Sequence, residues 1–252
     1  MTQISVSIVR NFTHHSSISL LYCDYGSTKF YRKVSFSEEG RMCINREYSG
    51  YKWYEKSYRC DYLSSPLRFL DNDVFSLLDI PLIDMSPPNL NLKISQLQRY
   101  IDLAILHYHS VWTDKLHSLS SNFPLHGDFS LAGNILFDND NIFVIDWEHF
   151  HDSCAPLGFD ILFMLFELLI IKFKSSLPDI NSLYTVARSI SYAKNLGVID
   201  PIFLNYSTPL RSFLDCQSSL STYWGDQYTK LPTCGYSKAH IRHIDRLLSS
   251  YL

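Results

Sequence analysis

The sequence predicts an α+β chain in two parts, β-rich over residues 1–84 and mainly helical over 85–252. Three observations carry this expectation. Short runs of β-branched and aromatic residues follow one another closely near the N-terminus. Ser86-Pro87-Pro88-Asn89 is the strongest punctuation in the chain. Beyond it, apolar residues recur at three- and four-residue steps, the spacing of one buried helix face.

In order, Ser5–Arg10, Ser17–Asp24 and Thr28–Phe36 read as three strands of an antiparallel meander. The polar stretch Asn11–Ser16 and the turn Tyr25-Gly26-Ser27 separate them. Asn45–Tyr58 reads as a helix, with Asn45 as its cap and Tyr48, Tyr51 and Tyr54 at helical spacing. Val74–Leu78 and Ile80–Ile83 read as two further short strands. After the prolines, Ile94, Leu97, Ile101, Ala104, Ile105, Tyr108 and Val111 mark one helix face. Ile161–Phe173 and several segments between Ile180 and Leu252 continue in that style, with Phe123–Phe150 as an interruption.

Composition narrows the function. The chain has 252 residues, 46% hydrophobic and 19% charged, an ordinary balance with material for a core. A formal charge of -3 and the lack of any Lys/Arg run longer than a pair argue against a nucleic-acid face or a polybasic membrane patch. Met1–Ile8 alternates polar and apolar residues and does not read as a secretory signal. The most apolar stretch, Ile161–Ile171, contains Glu167 and falls short of the roughly 20 residues a bilayer span needs. It reads as a buried helix. The six cysteines are scattered without a C-x-x-C pair, so reduced thiols in a cytoplasmic protein are expected.

The chemistry gathers between residues 125 and 160. Leu125-His126-Gly127-Asp128 leads to Gly133-Asn134-Ile135-Leu136-Phe137, an Asp/Asn turn, and Ile142-Phe143-Val144-Ile145-Asp146-Trp147-Glu148. The two apolar pieces around the turn signal a hairpin, whose outer ends lie together. Asp128, Asn134 and Asp146 are thereby expected on one side. Two carboxylates and a carboxamide make a hard oxygen site suited to Mg²⁺ carrying nucleotide phosphates. Phosphoryl transfer needs such a metal and a carboxylate to orient the attacking hydroxyl. Asp128 suits the second task, Asn134 and Asp146 the first.

His-Gly-Asp, the following Asn-Ile-Leu and Ile-Asp-Trp-Glu resemble the catalytic and metal-binding segments of the aminoglycoside phosphotransferase and choline kinase families. The resemblance implies a two-lobed protein-kinase-like fold, with 1–84 as nucleotide-binding lobe and 85–252 as catalytic and acceptor-binding lobe. It implies ATP and Mg²⁺ as cofactors, Asp128 as catalytic base, and Asn134 and Asp146 as metal ligands. It makes His126 a brace of the catalytic loop and Asp160, in Ala155-Pro156-Leu157-Gly158-Phe159-Asp160, an anchor beneath it. The interval departs from the family: five residues, Phe129 to Gly133, separate Asp128 from Asn134 where four are usual. Gly133 is the residue expected to absorb the extra one as a bulge.

Such a site also needs a lysine for the phosphates and an acid to hold it. Lys33 ends the third strand before an apolar residue as in the family, and Lys29, on the same face, competes with it. Glu47 is the acid expected to pair with the lysine, with Glu55 second. No G-x-G-x-x-G occurs, and Asn11–Ser16 is expected to cover the phosphates. The acceptor is a hydroxyl of a sugar, amino alcohol or aminoglycoside-like molecule, with Asp215, Asp226, Tyr223, Trp224 and Tyr228 as possible lining. Two rivals stand beside this: a kinase-like protein that binds nucleotide or a partner without catalysis, and a metallohydrolase built on His126, Asp128, His149 and His151.

Overall fold

The computed structural model describes residues 5–11, 17–25, 28–58, 67–112, 123–173, 176–204, 209–224 and 238–252. The protein is α+β and divides into two compact units. Met1–Asp84 and Asp146–Phe150 form the first, Met85–Ile145 and His151–Leu252 the second. The segment Asp146–Phe150, placed by the sequence reading in the second part, thus belongs to the first unit.

The first unit is built on strands β1 (Ser5–Asn11), β2 (Ser19–Asp24) and β3 (Lys29–Ser35), helix α1 (Glu38–Ser57), and strands β4 (Arg68–Asp71) and β5 (Ser76–Pro81). The sheet runs β1-β2-β3-β5-β4, antiparallel throughout, so the meander is present as expected. The expected strands Val74–Leu78 and Ile80–Ile83 are instead one strand, β5, hairpinned to β4 upstream of it. Asp79 does not break β5 because it faces Arg32 across the register and accepts from Nε and Nη2 at 2.7 and 2.8 Å. The β4–β5 turn is fixed by Asn72, whose side-chain oxygen accepts from the amides of Val74 and Phe75 at 2.8 and 2.9 Å.

Helix α1 begins earlier than expected. Its N-cap is Ser37, not Asn45: Ser37 Oγ accepts from Gly40 N at 3.1 Å, and Glu38 and Glu39 in the first turn suit the helix dipole. Gly40 and Gly50 weaken the local helical signal, yet both are buried in the helix. Gly40, Cys43, Ile44, Glu47, Gly50, Tyr51 and Tyr54 form one buried stripe at three- and four-residue spacing. Glu47 is the single acid in that stripe. It lies mid-helix rather than at the opening turn.

In the second unit Ser86 exchanges backbone hydrogen bonds with Phe137, and a 3₁₀ turn at Ile94–Leu97 leads into α2 (Gln98–Trp112). All seven residues of the expected buried face are buried, Ile94 and Leu97 in the 3₁₀ turn and the other five in α2. Strands β6 (Phe123–Leu125), β7 (Ile135–Asp138), β8 (Asn141–Val144) and β9 (His151–Ala155) follow, then α3 (Phe159–Phe173), α4 (Ile180–Asn195), α5 (Pro209–Trp224) and α6 (Lys238–Ser249). β7 and β8 form the expected hairpin, and β6 pairs with β9. Trp112 Nε1 donates to the Pro124 carbonyl at 2.8 Å, tying α2 to β6. Tyr108 Oη accepts from Gly158 N at 3.2 Å. Gly158 has φ +85, and a Cβ there would lie 2.5 Å from the Val198 carbonyl oxygen, so glycine is required. Helix α3 is buried on nearly every face, as its composition predicts. Among the described residues no helix is long and apolar enough to cross a membrane.

Candidate functional site

The predicted residues fall into two side-chain clusters, one in each unit. In the first, Lys33 on β3 points to the sheet face that α1 covers: Lys33, Leu78 and Phe69 share that face by register, and Phe69 stacks on Tyr48 of α1 with ring centroids 4.2 Å apart. Lys33 Nζ lies 2.9 and 2.7 Å from the two oxygens of Glu47 and 2.5 Å from Asp146 Oδ1. Burial works against the ammonium, but Asp146, Glu47 and Glu148 outweigh it and hold the Lys33 pKa well above its ordinary value. Burial pushes the Glu47 carboxyl up to about 8 against the pull of Lys33, with Asp146 adding to the rise. Of the two competing lysines, Lys29 is exposed and pairs with Asp24 at 3.6 Å. Glu55 pairs with Lys52 at 2.7 Å.

Helix α1 grips the segment after Asp146 at several points. Tyr51 Oη accepts from Asp146 N at 3.3 Å, and Arg46 Nε donates to the Glu148 carbonyl at 3.0 Å. Trp147 is fully buried against Trp53 and Tyr54, with centroids 5.7 and 5.2 Å away. Asp146 has φ +65, a left-handed conformation uncommon outside glycine and costing on the order of 1 kcal/mol. His149 is buried, and burial with the Arg46 charge lowers it to about 4, so the ring is neutral near pH 7.

In the second cluster the turn after β6 carries His126, Gly127 and Asp128. Asp160, at the first turn of α3, accepts from His126 N at 2.9 Å and from Gly127 N at 3.0 Å, one amide on each oxygen. Burial raises this carboxyl to about 7 even so, the two amide bonds opposing and the Asp128 charge adding. Asp128 N donates to His126 Nδ1 at 3.2 Å, which leaves the imidazole proton on Nε2, 2.9 Å from the Ile145 carbonyl. The ring thus braces the turn against the end of the hairpin. Gly127 adopts φ +88, the backbone reversal this geometry requires.

Asn134 reaches Asp128 despite the longer interval. Its Nδ2 donates to the Asp128 carbonyl and to Oδ2, both at 2.9 Å, leaving its side-chain oxygen as the remaining acceptor. The extra residue is not absorbed by a glycine bulge. Gly133 has no positive φ, and a Cβ there would meet nothing within 4 Å. Ser130 does the work instead: its carbonyl accepts from Asn134 N and Ile135 N, each at 3.0 Å, and its Oγ accepts from Ala132 N at 3.0 Å. The chain then runs up β7, back along β8 and straight from Ile145 into Asp146.

Two further residues escaped the sequence reading. Glu167 of α3 hydrogen-bonds the Ser130 side chain; burial raises its carboxyl to about 7, with Ser130 opposing and Asp128 adding. Its signal was an acid inside an otherwise apolar run. Tyr51 gave no signal beyond its place in the buried stripe, which a purely packed tyrosine shares. Among the described residues no three or more His, Cys, Asp or Glu side chains gather as a metal site, and His149 lies in the first unit while His126, Asp128 and His151 lie in the second. Phe12–Ser16, Asp226 and Tyr228 lie outside the described residues, as do the side chains of Tyr223 and Trp224. Asp215 is exposed on α5, 3.9 Å from Arg211. A scan against protein-family models finds no match to the chain, and a search of curated proteins finds none.

Proposed function

We propose that this chain is an ATP-dependent small-molecule kinase of the aminoglycoside phosphotransferase and choline kinase type, on a two-lobed kinase-like fold. The observation that carries the proposal is the buried Lys33, held by Glu47 on one side and by Asp146 on the other. A buried ammonium kept charged by two acids is a preorganised partner for phosphate oxygens. A purely structural role does not require the second acid to be partly exposed, yet the Asp146 side chain is 36% exposed.

In this reading Asp146 of the first unit and Asn134 of the second would be the Mg²⁺ ligands, offering a carboxylate and a carboxamide oxygen, few enough that the metal would keep water and phosphate oxygens in its shell. When bound, the metal supplies charge neutralisation on the phosphates of the nucleotide.

In this mechanism Lys33 binds phosphate oxygens, and Glu47 and Asp146 orient it. Asp128 receives the hydroxyl proton of the acceptor as the acceptor oxygen bonds to the γ-phosphorus and the bond to the β-phosphate oxygen breaks. The nucleoside diphosphate leaves with that electron pair. Asn134 fixes the Asp128 carboxylate through its amide. The acceptor class is a hydroxyl of a sugar, amino alcohol or aminoglycoside-like molecule.

The lengthened interval before Asn134 and the choice between Lys29 and Lys33 are the support for the rival reading, a kinase-like binder without catalysis. The two hydrogen bonds from Asn134 to Asp128 weigh against it. Calorimetric titration of ATP with and without Mg²⁺, on wild type and Asp146→Ala, tests the proposal together with turnover across hydroxyl acceptors. Metal-dependent binding lost in the variant, with turnover of at least one acceptor class, is the expected result. Binding without turnover favours the non-catalytic rival, and absence of nucleotide binding overturns both.

A further inference from the structure

We propose that Tyr51 is a positioning residue that fixes the backbone of Asp146 and so aims its carboxylate, an inference that rests on the kinase reading above. Tyr51 follows Glu47 by one helical turn, so both side chains leave the same face of α1. Glu47 acts on the Asp146 carboxylate through Lys33. Tyr51 acts on the main chain, its buried hydroxyl accepting the Asp146 amide proton at 3.3 Å.

The main chain at that point needs holding. With φ +65, Asp146 sits in a region an L-residue leaves readily, and relaxation to the extended region would swing its side chain away from Lys33. Other contacts from α1 act on neighbouring residues. Trp147 and Phe150 are fixed by packing: a Cβ on Gly50 would lie 2.5 Å from Trp147 Cβ and 3.0 Å from Phe150 Cβ. Arg46 holds the Glu148 carbonyl, two residues on. These place the segment, whereas the Tyr51 hydroxyl reaches the amide of Asp146 itself.

Tyr51→Phe removes the oxygen and keeps the ring. The expected result is a folded protein whose Mg²⁺-dependent ATP binding is weakened about tenfold, as for loss of a group that orients a metal ligand, and whose metal-free ATP affinity changes much less. In the ligand-free wild type, the Asp146 amide should exchange slowly with deuterium and exchange faster in the variant. Equal metal dependence in both proteins overturns the inference while the kinase reading stands. So does a loss of equal size with and without metal, the mark of general loosening. A wild-type Asp146 amide exchanging like an unprotected one overturns it even if the variant does not fold. Wild type without any metal-dependent binding overturns the kinase reading and this inference together.

Discussion

Glu47 has no exposed surface, and both of its carboxylate oxygens lie within 2.9 Å of Lys33 Nζ. Removing one member of such a pair leaves the other buried without a counter-charge, which costs roughly 3–5 kcal/mol. Lys33→Met should therefore destabilise the protein by up to about 3 kcal/mol, the loss being largest above pH 8, where Glu47 is ionised, and smaller below it. Lys33→Met combined with Glu47→Gln should recover part of it. Chemical denaturation of the single and double variants measures this, and additive losses would show that the two side chains are not coupled.

Gly50 presents a conflict between local propensity and packing. In an exposed helix interior, Gly→Ala stabilises by roughly 1 kcal/mol. At this position the new methyl would meet Trp147 Cβ at 2.5 Å and Cγ at 2.9 Å. Overpacking of this kind typically costs about 1–3 kcal/mol. Gly50→Ala should lower the melting temperature, and a rise would mean that Trp147 yields easily.

The buried histidines contribute a loss of stability in acid. His107 is 6% exposed, and burial lowers it to about 3. The unfolded chain binds that proton near pH 6.5, so stability falls as pH drops from about 6.5 toward 3, with a limiting slope of about 1.4 kcal/mol per pH unit. His149, lowered to about 4, acts in the same direction. Asp160 and Glu167, each raised to about 7, and Glu47, raised to about 8, act oppositely, their stabilisation being lost as pH rises from about 4 through those values. A His107→Gln variant separates these contributions. Between pH 6.5 and 4.5 it should lose less stability than wild type by about 2 kcal/mol, whereas parallel curves would sink the assignment to His107.

Legibility in the sequence followed the range of the interactions. The meander, the β7–β8 hairpin and the buried face of α2 rest on local periodicity and turn chemistry, and they were readable. The start of α1 was not, because Gly40 in its first turn weakens the helical signal although it is buried in the helix. The single strand β5 was read as two because Asp79 looks like a break until Arg32 is brought opposite it. Lys33, Glu47, Asp128, Asn134 and Asp146 stood out by motif. Ser130, Glu167 and Tyr51 did not, since each is defined by a hydrogen bond to a residue already in the cluster.

Ser130 offers the sharpest test of how the lengthened turn works. Its side chain joins two elements, accepting from Ala132 N and bonding to Glu167 of α3. Ser130→Ala should cost about 1 kcal/mol, since it leaves a partly buried carboxyl without this partner. The carbonyl that receives Asn134 N and Ile135 N is retained, so Asn134 stays near Asp128 but on a looser turn. Glu167, no longer opposed by the hydroxyl, should titrate above its present value of about 7, and Ser130→Thr should restore both stability and titration. A carbon-13 NMR titration of the Glu167 carboxyl reads this directly. An unchanged midpoint in Ser130→Ala would show that burial alone sets it, and that the turn is held by its backbone bonds without help from α3.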